Sequence, residues 1–147
     1  ILIGSEDPEC DQQEWIPDPD RYNDQITESQ WKAQVYRRVR RIPELKVPSR
    51  SKGVVDLYDV SDDWIPIYDK SLLGGFYMAI GTSGNQFKNA PVAGHCMAEL
   101  IDACENGHDH DADPVKVKAV YTGLELNMGF YSRNRKINPN SSFSVNG

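Results

Sequence analysis

At 147 residues, with 39% hydrophobic and 10% aromatic side chains, the chain is the size of one domain and apolar enough to bury a core. A net charge of −6 argues against nucleic acid or an anionic membrane as partner; no apolar run reaches the roughly 20 residues of a membrane span, and no leader-like segment opens the chain, so a cytoplasmic location is expected. Cys10, Cys96 and Cys104 are an odd number without a disulfide framework. On one helix the last two stand about 12 Å apart, beyond disulfide reach.

Ile1 to Ile3 read as a short strand ended by Gly4. The opening on Ile1 rather than Met is read as a chain cut from a longer protein. Glu6 to Arg21 form an acidic, proline-punctuated loop. Thr27 then caps a helix with Gln30 as capping-box partner, and Trp31, Val35, Val39 and Ile42 recur at helical spacing before Pro43. Lys32, Arg37, Arg38, Arg40 and Arg41 occupy the other face. They are read as a solvated face favoured by the helix dipole, with pairing of part of it to upstream polypeptide as the alternative use.

From Gly53 the pattern turns β-like. Val54 to Val60 predict one strand, Ser61-Asp62-Asp63 a turn, and Trp64 to Tyr68 a second strand, edge or bulged because Pro66 cannot donate to a ladder. The continuous apolar run Phe76 to Ile80 predicts a strand buried on both faces. Gly81, Thr82, Ser83, Gly84 and Asn85 punctuate it, and Pro91 opens a helix through Cys96, Met97, Leu100 and Ile101 that Gly107 ends.

A strand, a glycine loop and a helix start in succession present free N–H groups suited to anions and other acceptors. The residues alone leave two readings open: Gly81 and Gly84 admit a ligand, or they turn a tight connection. Three sharper motifs fail on the letters. Lys88 lies between Phe87 and Asn89 rather than in Gly-Lys-Ser/Thr, Ser83 lacks the glycine two residues on that a nucleophile elbow needs, and GxGxxG occurs nowhere.

The run GHDHDADP crowds His108, Asp109, His110, Asp111 and Asp113. Pro114 stands where an EF-hand requires glycine and Val120 where it requires glutamate, so an exposed acidic loop is expected and no metal site. Val115, Val117 and Val120 predict a short helix or strand, and the closing NPNSSFSVNG is read as a disordered, turn-rich tail. The fold class expected is α+β, one small mixed β-sheet from the Ile1, Val54, Trp64 and Phe76 segments with two main helices beside it.

The stretch LYDVSDDWIPIYD followed by GFYMAIGTSGNQFKNAPVAGHCMAELI resembles the C-terminal part of the FAD-dependent amine and amino-acid oxidoreductases, the sarcosine oxidase, glycine oxidase and dimethylglycine dehydrogenase group. Asp63, Pro66, Ile67, Gly75, Phe76, Gly81, Gly84, Phe87, Lys88, Pro91 and Gly94 meet the pattern of that family, and Arg133 and Arg135 resemble its terminal S-R-x-R segment. The resemblance implies a fragment of a two-domain flavoprotein. Its parts are substrate-domain strands and helix over 1–70, a flavin-contacting strand, loop and helix over 74–106, and a tail over 107–147. It implies that Gly81, Thr82, Ser83, Gly84, Asn85, Gln86, Phe87 and Lys88 bind FAD, that Lys88 holds a substrate carboxylate, and that Tyr58 lines the substrate pocket. Asp56 stands where one branch has the cysteine that bonds flavin covalently, so no covalent link is implied.

The parent enzyme would oxidise a C–N bond of a small amino acid or N-methylated amine. Its partners would be that substrate and an upstream FAD-binding part, with no nucleic acid, no membrane and possible homo-oligomers; the isolated fragment is expected to be inactive. Two alternatives stand beside it: a non-enzymatic binding module, and a phosphate-ligand enzyme using Gly81 to Lys88.

Overall fold

A computed structural model describes residues 14–145, so the strand expected at Ile1 to Ile3 lies outside the described residues. The chain forms two compact units, Ile1–Leu57 and Tyr58–Gly147.

In the first unit, helix α1 spans Glu28–Arg41. Its capping box is complete: the Gln30 N–H donates to Thr27 Oγ1 at 3.2 Å and the Thr27 N–H to Gln30 Oε1 at 3.1 Å, which satisfies two donors that a helix start leaves orphaned. Trp31, Val35 and Val39 are half-buried and no residue of α1 is buried outright. Arg38 departs from the expected solvated face. Its guanidinium donates to the carbonyls of Leu45, at 3.0 Å, and Lys46, closing the connection beyond Pro43.

The strand expected over Val54 to Val60 does not form. The Asp56 side chain accepts the Leu57 N–H at 2.8 Å, a local bond that competes with a ladder, and Val54 is 84% exposed, so burial gives this β-prone sequence no reason to pair.

In the second unit, β1 (Ile67–Lys70) and β2 (Tyr77–Ile80) make an antiparallel hairpin with Ile67 opposite Ile80 and Lys70 opposite Tyr77. The ladder starts at Ile67, not at Trp64. Pro66 has no N–H to give and Trp64 has a left-handed φ of 61°, so the chain becomes extended only beyond them. Nor is β2 buried on both faces: Ile80 is 47% exposed, at the end of a hairpin of only two strands.

Helix α2 spans Ala90–Glu105 with Pro91 in its first turn. Gly107, at φ 89°, donates its N–H to the Cys104 carbonyl at 3.0 Å, and the His108 N–H donates to the Ala103 carbonyl at 3.0 Å, a glycine-terminated cap that uses carbonyls a helix end leaves free. A second hairpin follows, β3 (Lys116–Lys118) against β4 (Glu125–Asn127). Tyr68, Cys96, Leu100, Val115, Val117 and Met128 form the core between α2 and these strands.

The fold is α+β, but its sheet is not the single mixed one expected. Two separate two-stranded antiparallel sheets take its place among the described residues, because the Val54 segment does not join. Among those residues no helix is long and apolar enough to cross a membrane.

Candidate functional site

The corner between β2 and α2 is built on three positive φ angles within four residues: Gly81 at 66°, Ser83 at 52° and Gly84 at 72°. Such a succession turns backbone N–H groups toward one centre, an anion-binding shape. The anion is supplied from within. One Asp59 carboxylate oxygen accepts the Gly81 N–H at 2.7 Å, the other accepts the Thr82 hydroxyl, and the Asp59 carbonyl accepts the Ser83 N–H at 2.9 Å. Burial, the largest influence, pushes the Asp59 carboxyl up, but bonds from the Thr82 hydroxyl and the Thr82 and Gly81 amides outweigh it and hold the group below its ordinary range. An external phosphate would have to displace this carboxylate.

Tyr58 is brought to the same corner. A Cβ on Gly84 would meet its ring at 2.7–2.8 Å, so glycine here admits an aromatic face that any other residue would push away. Ser83 is fully buried and donates its hydroxyl to the Gly81 carbonyl at 3.1 Å.

Past Gly84 the chain makes a short 3-10 turn, Gln86–Asn89, and runs into α2. Here the residues face outward. Asn85, Gln86, Lys88 and Asn89 line one wall of a concavity of about 280 Å³, and Trp64, Phe130 and Tyr131 stand among its other lining residues. That volume lies near the lower end for small-molecule pockets, enough for one ring system or a small amino acid but not for a whole dinucleotide. The Gln86 carboxamide is fixed: its oxygen accepts the hydroxyl of buried Tyr68 and the Asn89 Nδ2–H, both at 3.1 Å, and its Nε2–H donates to Asn85. Tyr68 is held in turn by Tyr131, ring centroids 5.2 Å apart. Lys88 is exposed on the rim, and Phe87, at 97% exposure, points away into solvent.

The residues expected to bind flavin therefore divide in two. Gly81, Thr82 and Ser83 spend their donors on Asp59, while Asn85, Gln86 and Lys88 border open space. Amide donors, an ammonium and flat aromatic walls suit a heteroaromatic rim with acceptor atoms, so the second group fits an isoalloxazine edge and the first does not.

Two arginine clamps hold the frame. Buried Asp63 accepts from Arg135 at 2.6 and 3.3 Å, from the Ile65 N–H at 3.2 Å and from the Asn138 N–H at 3.1 Å, which ties down the start of the tail expected to be disordered. Fully buried Asp69 accepts the Arg133 guanidinium at 3.0 Å, the Arg133 N–H at 2.8 Å and the Ser132 hydroxyl at 3.1 Å. Asp111 takes the other Arg133 nitrogen at 2.8 Å and Lys70 at 3.0 Å. Burial raises the Asp63 carboxyl and Arg135 leads the bonds that lower it, to about 2; for Asp111 the Arg133 bond is the largest influence, and it too falls to about 2.

The loop GHDHDADP is exposed and acidic at Asp109, Asp111 and Asp113, as expected, with one exception. His110 is 1% exposed, and its Nδ1 accepts the Val115 N–H at 3.0 Å. No group of three His, Cys, Asp or Glu side chains among the described residues is placed to hold a metal ion.

Asp59, Asp69, Tyr68 and His110 had no place in the expected site. A signal for Asp69 existed: a carboxylate inside the strand-like IYDK needs a cation, and Arg133 is the one that pairs with it. Protein-family models, curated proteins and solved structures yield no match to this chain.

Proposed function

We propose that the chain is the C-terminal portion of an FAD-dependent oxidoreductase that oxidises a C–N bond of a small amino acid or N-methylated amine. The observation that supports this reading most is the joint position of Asn85, Gln86 and Lys88, to which the family resemblance assigns flavin contact, in the lining of a concavity that Trp64, Phe130 and Tyr131 also border. FAD would supply the hydride acceptor. The chain's own residues bind and orient: the Lys88 ammonium holds a carboxylate as a point charge, Gln86, pinned by Tyr68, presents a fixed carboxamide, and Trp64, Phe130 and Tyr131 offer apolar ring surface. Tyr58 supports the corner through Gly84. An upstream FAD-binding segment is the partner this reading needs, and a cytoplasmic location goes with it.

Two measurements test it. Titrated with FAD, the chain alone should take up no stoichiometric flavin, because a space of about 280 Å³ holds one ring system and not a dinucleotide. In the parent enzyme, Lys88→Ala should raise KM for the substrate about 10- to 150-fold, the equivalent of about 1.5–3 kcal/mol for a bond to a charged group, with flavin content unchanged. An unaltered KM removes Lys88 from the site, and a parent without flavin removes the whole reading.

A further inference from the structure

His110 sits in the connection between α2 and β3, where its ring is enclosed on all sides. Because Nδ1 accepts the Val115 N–H, the neutral ring carries its proton on Nε2. That proton points toward Asp69 Oδ1 at 3.5 Å, too long to count as a hydrogen bond, and Nε2 has no other partner. Asp69 Oδ1 already accepts the Lys70 N–H at 2.7 Å, and its second oxygen is taken by Arg133 and Ser132.

A second proton can enter only at Nδ1. There it would set a ring N–H against the Val115 N–H, two donors face to face in a space closed to water. Protonation and the closed loop thus exclude one another.

We propose that His110 is an acid-sensitive latch: uptake of a proton at Nδ1 breaks its bond to Val115 and releases residues 108–115 from the β1 hairpin. The release carries Asp111 away from Lys70 and Arg133, so three attachments fail together. Burial is the largest influence on the ring and disfavours its charged form. Asp69 of β1 and Asp111 of the same loop pull the other way, and Lys70 of β1 and His108 add to the effect of burial. Arg133 neutralises part of the attraction of both aspartates. The latch is closed at neutral pH, and its stability falls as pH drops below the ordinary histidine range near 6.5, because only the opened form takes the proton there.

The test is NMR on the whole chain from pH 8 to pH 5. The His110 ring should show the Nε2–H tautomer at pH 7, and protection of the Val115 amide should fall about tenfold per pH unit below about 6.5, after correction for intrinsic exchange. His110→Gln keeps an acceptor for the Val115 N–H and does not titrate, so it should flatten that slope, while His108→Gln should leave it. Val115 protection constant to pH 5 in the unsubstituted chain overturns the proposal, and so does an unchanged slope in His110→Gln. Should His110→Gln fail to fold, the titration of the unsubstituted chain decides alone.

Discussion

Replacing Asp63 with Asn keeps the shape of the side chain and removes its charge. The carboxylate is 1% exposed and takes five bonds: two from Arg135 and one each from Ser61, Ile65 and Asn138. Held at about 2 in the folded chain against an ordinary value near 3.9, it contributes about 2–3 kcal/mol of stability near neutral pH. The variant also leaves the Arg135 guanidinium, 13% exposed, without its counter-charge, which brings the loss toward the 3–5 kcal/mol of a broken buried pair.

The sign fixes the pH dependence. A carboxyl whose folded value is depressed adds its full share above the unfolded value and loses it as pH falls toward the folded one. The difference between parent and Asp63→Asn in urea unfolding should therefore be constant from pH 7 to about 5 and shrink between about pH 4 and 2. A gap of the same size at pH 2.5 as at pH 7 would refute the reasoning, because the bonds would then owe nothing to ionisation.

Other expectations follow from the core and the corner. Leu100→Ala removes a fully buried side chain from the face of α2 that packs on Val117 and Met128, and should cost about 2–5 kcal/mol in the same unfolding assay. Gly84→Ala places a Cβ into the Tyr58 ring at a φ of 72° and should cost about 1–2 kcal/mol; Tyr58→Ala should relieve the collision but not the backbone strain, so that the double variant recovers only part of the loss.

Local signals were legible wherever a segment satisfies its own backbone. The Thr27 and Gln30 box, Pro91 and Gly107 mark helix ends whose caps form within a few residues, and both helices stand where those letters put them. The Val54 segment shows the limit: alternation makes a strand only where another strand takes its N–H groups, and Asp56 took one first. At the corner, glycines and a helix start suggested an open anion site, yet the acceptor was Asp59, 22 residues before Gly81. His110 was hidden for the same kind of reason. Its polar neighbours imply solvent, and only pairing across from Lys70 and Arg133, dozens of positions away, encloses the ring.

The Asp63–Arg135 clamp spans 72 residues of sequence. At about 5–20 residues per second of synthesis, Arg135 emerges some 4–15 s after the aspartate it must neutralise. During that interval the Asp63 carboxylate lacks its guanidinium partner, so this clamp can close only after residue 135 has been made.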